Sequence, residues 1–136
     1  MTKDAERMKD MVDTLPGIER VRSRFLTMLQ DRKERIAAHI LAAWEGETLD
    51  DVNDNLAKTE AILHQISGTA GTLGFSDLGT HARSCEGKII AHLKGPDADL
   101  AICPGELINE IDAFVIACEE VIDADVCAQV SKTALI

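Results

Sequence analysis

His64 opens the run His64-Gln65-Ile66-Ser67-Gly68-Thr69-Ala70-Gly71-Thr72-Leu73-Gly74, and no other stretch of the chain is as well suited to chemistry. A neutral imidazole nitrogen is nucleophilic near pH 7, since the ring's ordinary pKa is about 6.5. Gly68 follows four residues later, one turn along the same helix face. Glycine inside a helix costs about 1 kcal/mol relative to alanine, so its presence calls for a reason. One reason is clearance: a bare patch beside an exposed imidazole lets another protein reach the ring. The other is a helix–helix contact, in which small residues let two backbones approach. Spacing alone leaves both open. An accessible imidazole of this kind suits group transfer, and a phosphoryl group is the expected cargo.

The helix that carries His64 has an apolar seam of Leu49, Val52, Leu56, Thr59, Leu63, Ile66, Ala70 and Leu73, stepping by three and four residues. By wheel arithmetic the seam centres about 120° from His64, which places the ring at its edge or outside it. Within about 60° of His64 lie Ala57, Glu60, Ala61, Ser67, Gly68 and Gly71, all small except Glu60. A surface helix built for stability alone would carry long charged residues there.

Two other chemistries compete for these residue types. Gly68-x-x-Gly71-x-x-Gly74 is glycine-rich, but no Gly-Lys-Ser/Thr follows it and no strand precedes it, so a phosphate-cradling loop is not expected. The chain therefore offers no ATP site and no autokinase chemistry, and any phosphate must come from a partner. His81 and Cys85, at i and i+4, form a workable metal-ligand pair, with His92 further along the same helix. Cys85 falls on the apolar seam, however, and no second pair appears at matching spacing. The expectation is no metal; a metal-binding bundle and a purely structural adaptor bundle stand as alternatives.

Four long amphipathic segments must position these residues. One begins near Ile18, carries Ile18, Val21, Phe25, Met28, Leu29, Ile36, Ile40 and Trp44 on its apolar side, and stops around Gly46. Thr48 is the expected N-cap of the His64 helix, with the Asp51 carboxylate in its first turn. Gly74-Phe75 ends that helix and Ser76 is a ready N-cap for the next, which turns Leu78, Ala82, Cys85, Ile89 and Leu93 inward and stops at Lys94-Gly95-Pro96. After a polar loop the last helix, about 104–131, starts near Pro104 as a first helical position. Its apolar side uses Leu107, Ile108, Ile111, Phe114, Val115, Cys118, Val121 and Ile122. A short leading segment around Lys3 to Thr14 is amphipathic and precedes a turn at Leu15-Pro16-Gly17. The pattern predicts an all-α protein, an antiparallel up-and-down four-helix bundle with a short additional N-terminal helix, folded as one domain over residues 1–136.

Composition narrows the function further. Net charge is −10 with a pI near 4.7, the wrong sign for a phosphate-backbone binder, so no nucleic-acid partner is expected. Aromatic content is 3%, with one Trp and no Tyr, which removes the stacking platform of a single-strand binder. From Gly95 onward nine Asp/Glu face one Lys, so −8 of the −10 lies in the last third; interleaved apolar residues mark this as a solvated face. No run reaches the ~18 apolar residues of a membrane span. Cys85, Cys103, Cys118 and Cys127 form no C-x-x-C pair and read as structural thiols of a reducing cytoplasm.

His64 to Leu78 resembles the signature of histidine-containing phosphotransfer (Hpt) domains: His-x-x-Lys-Gly-x-Ala-x-x-x-Gly with a leucine four residues on. His64, Gly68, Ala70, Gly74 and Leu78 match, and Phe75 fits the usual apolar position; the helix pattern extends the likeness from about Ile18 to Lys94, with the core of the motif in residues 18–94. The resemblance implies a four-helix bundle and a phosphocarrier that relays phosphate between receiver-domain aspartates of response regulators, or takes it from a hybrid sensor histidine kinase. It implies His64 Nε2 as phosphoacceptor and Glu86 as acceptor of the His64 Nδ1–H. Gly68 would leave room for the aspartyl phosphate and its Mg2+, which belongs to the partner; the chain needs no cofactor of its own. Glu60, Ala61, Gly68 and Gly71 would line the docking face.

One position departs from the family. Its lysine is Ser67 here, which offers a neutral hydrogen bond where the lysine offers a charge-assisted one worth up to about 1.5–3 kcal/mol. Arg83, one turn before Glu86, is the expected substitute cation. The serine also leaves open a degenerate Hpt adaptor that docks receivers without transferring phosphate.

Overall fold

The computed structural model describes residues 17–100 and 103–134. The expected leading helix around Lys3 to Thr14 lies outside them. Four long helices account for the fold: α1 Ile18–Glu45, α2 Leu49–Ala70, α3 Ser76–Lys94 and α4 Gly105–Ala134. Short 3-10 turns at Gly71–Leu73 and Pro96–Asp99 complete it, and no strand occurs among the described residues.

α2 begins as its sequence predicts. The Thr48 hydroxyl accepts from Asp51 N at 3.1 Å, and Asp50 and Asp51 set negative charge against the helix N-terminus. Its buried stripe is Val52, Leu56, Thr59, Ile62, Leu63, Ile66 and Ala70. Leu49 is exposed, because the seam starts only where α1 and α3 begin to cover the helix. The Thr59 hydroxyl, fully buried, donates to Asn55 O at 2.9 Å, which satisfies it within the helix.

Three of the residues expected inside α1 lie outside. Val21, Met28 and Trp44 are exposed, while Leu26 and Ala43 are buried with Phe25, Leu29, Ile36 and Ile40. The observed stripe centres between Phe25 and Leu26, and Val21 and Met28 stand roughly 75–95° from its centre. Trp44 belongs to the last turn, beyond the packed layers. Its ring lies beside Gly105 and edges an apolar groove with Leu41 and Ile108.

The connection between α2 and α3 starts the next helix differently from the expectation. After the 3-10 turn, Gly74 takes φ 91°, a left-handed conformation that glycine tolerates. Phe75 then occupies the cap position with no side-chain cap, and Ser76 is the first helical residue rather than the N-cap. The reason is packing: Phe75 is half-buried and stacks on Phe25 with ring centroids 5.3 Å apart. Its carbonyl accepts the first helical bond, from Gly79 N at 3.0 Å. At α4 the shift is similar. Pro104 stays outside the helix, and its carbonyl accepts from Ile108 N at 3.2 Å.

Specific contacts set the neighbours. Arg22 Nε donates to Leu73 O at 3.1 Å and His39 Nδ1 lies 3.1 Å from Asn55 Oδ1, joining each end of α1 to the opposite end of α2. Lys33 pairs with Glu119 at 3.5 Å across α1 and α4, and Lys88 with Glu110 at 2.6 Å across α3 and α4. Leu29, Ile36, Leu56, Leu63, Ile66, Ile89, Ile111 and Phe114 fill the centre. α2 and α3, the helices that matter for the site, make the most extensive contact of any pair.

Candidate functional site

The site is built on the α2–α3 contact. Gly79 of α3 is buried there, and a Cβ on it would stand 3.3 Å from Gly71 N, 3.5 Å from Ala70 Cβ and 3.7 Å from Ser67 O. This glycine lets the two backbones approach at the level just beyond His64. Sequence reasoning missed it. The available signal was a helix-interior glycine next to Leu78 on the apolar edge.

Gly68 and Gly71 behave oppositely. A Cβ on either would meet nothing within 4 Å, apart from their own helix backbone. The two explanations that spacing left open therefore separate: Gly79 makes the helix–helix contact, and Gly68 and Gly71 leave a bare exposed surface. Ala57 and Ala61 extend it along the same face and are exposed as well.

His64 stands over this surface with 76% of its side chain exposed. From α3, Glu86 reaches across the helix interface and places Oε2 2.6 Å from His64 Nδ1. Glu86 is one of two polar side chains among the buried residues, at 9% exposure. A carboxylate only accepts, so Nδ1 carries the ring proton and Nε2, on the solvent side, keeps its lone pair. Glu60, one turn before His64 on α2, is half-buried. Burial, followed by Glu86, raises the Glu60 carboxyl above its usual range; His64 pulls the other way.

Two predicted neighbours are placed differently from each other. The Ser67 hydroxyl donates to His64 O at 3.0 Å, so it satisfies the helix backbone instead of facing outward. Arg83 is exposed one turn before Glu86 on α3, and among the described residues no hydrogen bond or ion pair joins it to His64 or Ser67.

His81 and Cys85, the alternative ligand pair, are turned to other partners. The His81 ring meets the Phe114 ring edge-on at 5.3 Å, and Cys85 Sγ donates to Glu110 O at 3.7 Å. Burial pushes the Cys85 thiol up to about 11 and that of Cys118 to about 12, which keeps both protonated at neutral pH. No group of three or more His, Cys, Asp or Glu is arranged to hold a metal ion among the described residues.

An exposed histidine held through Nδ1 by a buried carboxylate, beside a bare glycine face on a helical bundle, is the arrangement against which known families can be compared. The family model for the Hpt domain matches residues 20–117, from the first turn of α1 to Ala117 in α4. The chain belongs to the Hpt family. Hpt domains are phosphocarriers of two-component signalling, and the matched span contains the whole His64 site. No curated protein and no solved structure matches the chain. No helix of this Hpt protein is long and apolar enough to cross a membrane among the described residues.

Proposed function

We propose that this Hpt domain accepts a phosphoryl group on His64 Nε2 from a receiver-domain aspartate, or from a hybrid sensor histidine kinase, and passes it to the aspartate of a response regulator. The observation that carries the reading is the 2.6 Å contact between His64 Nδ1 and Glu86, next to a surface where Gly68 and Gly71 leave open space. In the transfer, the Nε2 lone pair attacks phosphorus, the P–O bond to the aspartyl carboxyl breaks, and the aspartate leaves as carboxylate. Nδ1 keeps its proton, and the Glu86 carboxylate offsets the positive charge that develops on the ring. Transfer onward is the same step reversed on a second receiver. Mg2+ belongs to the receiver. Glu60, Ala61, Gly68 and Gly71 form the face that the receiver meets. The proposed architecture is an antiparallel up-and-down bundle over residues 1–136 as one domain, which the end-to-opposite-end contacts of α1 with α2 support. Its proposed setting is the cytoplasm.

The test is to incubate the chain with a phosphorylated, Mg2+-loaded receiver. Relay predicts acid-labile, alkali-stable label on the chain. One observation favours a second reading, an adaptor that docks receivers without transfer: Ser67 replaces the family's lysine and spends its hydroxyl on His64 O. That reading predicts a complex with no label.

With no lysine at 67, Arg83 is the proposed phosphate contact. Its exposed position on α3, one turn before the Glu86 that reaches His64, is what supports this reading. Arg83→Ala is expected to shorten the phosphohistidine lifetime up to about fivefold, the effect of an exposed charge pair. Unchanged rate and lifetime would remove Arg83 from the site.

A further inference from the structure

We propose that the groove between α1 and α4 is a docking site for an amphipathic helical segment of another protein, with bulky apolar side chains on one face and lysine or arginine beside them. The site is separate from the His64 chemistry and does not rest on the phosphotransfer reading.

The groove has the form that takes a helix. Ile40, Leu41 and Trp44 of α1 face Gly105, Ile108 and Asp112 of α4 across a cavity of about 410 Å3. Each set recurs at three- and four-residue steps, so both walls are helix faces and the trough runs along their axes. Ile40 is buried and forms the floor, whereas Leu41 and Trp44 are 55% and 58% exposed. Gly105 keeps the α4 wall flat, since a Cβ there would already stand 3.9 Å from the Trp44 ring. Covering these side chains gains about 25 cal/mol per Å2 of apolar surface removed from water, and tryptophan is a common anchor of protein interfaces.

Charge selects the occupant. From Ile36 to Glu45, α1 carries no Lys or Arg, and neither does α4 from Gly105 to Ser131. Asp112 lines the groove and is exposed, as are Glu45 and Glu106, the chain neighbours of Trp44 and Gly105. Lys33, one turn before Ala37, is paired with Glu119 at 3.5 Å. The rim is therefore acidic, and lysine or arginine on the partner complements it. A second copy of the chain, docked groove to groove, would set these carboxylates against their own counterparts, which costs binding. The apolar residues shortly before α1 do not reach the groove of their own chain. Fully extended, the stretch from Met8 to Gly17 spans at most about 32 Å, whereas α1 runs about 40 Å from Gly17 to Trp44. The groove follows the α1–α4 contact, while His64 belongs to the α2–α3 contact across the bundle. A segment seated in the groove thus leaves His64 Nε2 open to a second protein.

Trp44 is the only tryptophan of the chain, so its fluorescence reports on the groove in the intact protein. The probe is a synthetic, end-capped helix with leucine along one face and lysine on the other. It should bind saturably and shift the Trp44 emission to the blue. A helix with the same leucine face and glutamate in place of lysine should not, nor should a lysine helix with an alanine face. Leu41→Glu and Asp112→Lys change exposed positions and leave the core intact; each should weaken binding of the leucine–lysine helix at least about tenfold. Equal shifts with the lysine and glutamate helices, a shift with the alanine-faced helix, or no shift at all would overturn the proposal, as would wild-type affinity in Asp112→Lys. A blue shift that grows with protein concentration alone and vanishes in Leu41→Glu would assign the groove to a second copy, and would overturn it too.

Discussion

His64→Gln is expected to abolish phosphoryl acceptance from a phosphorylated receiver and to leave the bundle folded. The two halves of this result have separate physical causes. Acceptance is lost because the amide nitrogen of glutamine has no nucleophilic lone pair, and no other exposed imidazole stands beside a comparable carboxylate among the described residues. The fold survives because 76% of the His64 side chain is exposed, and substitutions at such positions usually change stability by no more than about 0.5 kcal/mol. Glutamine also retains an N–H with which to satisfy Glu86, so the buried carboxylate is not stranded. Label counting on the separated proteins reads the first half, and thermal unfolding reads the second. A His64→Gln chain that still takes acid-labile label would place the acceptor elsewhere.

Gly68→Gln should make the protein more stable and a poorer acceptor at the same time. A side chain at 68 meets nothing within 4 Å in the folded chain, so it enters without strain. Replacing a helical glycine removes backbone entropy from the unfolded state and improves helix propensity, together worth several tenths of a kcal/mol up to about 1 kcal/mol. The same side chain occupies the space beside His64 that an aspartyl phosphate must enter. Displacing reacting atoms by about 1 Å can cost on the order of 100-fold in rate, and a loss of that size is expected in single-turnover transfer. The opposite signs are what make the experiment decisive. A variant that is stabilised and transfers normally would remove the clearance argument. A destabilised variant would mean that Gly68 packs against something, as Gly79 does against Gly71 N.

The contrast between those two glycines marks how far the sequence could be read. Periodicity reports angles about a helix's own axis, and on that basis Val52 to Leu73 was legible as a seam and His64 as a residue beside it. The Thr48 cap was legible because a hydroxyl three residues before Asp51 N is a local device. Which neighbouring helix comes closest, and at what level, is a tertiary property. Gly79 was therefore missed, although it sets the approach of α3 to α2. The errors in α1 have a related origin. Val21 and Met28 are apolar and near the stripe, and only the placement of the other helices decides that Leu26 and Ala43 go inside in their stead. Phe75 displaced Ser76 from the cap because a buried ring against Phe25 outweighs a side-chain hydrogen bond at a wet helix end. At the site, the run from His64 to Gly74 carried the resemblance to the Hpt family. That Glu86 would reach His64 came only from the resemblance, because the two residues stand on different helices and their contact exists only after α2 and α3 have packed.

The most direct measurement of the central claim is a phosphorus–nitrogen correlation NMR experiment on the labelled chain, which identifies the nitrogen that carries phosphate. His64 Nδ1 is engaged by Glu86 at 2.6 Å, so the account predicts phosphorus bonded to His64 Nε2 with the Nδ1 proton retained. Phosphorus on Nδ1, on any residue other than His64, or on no nitrogen at all would contradict it.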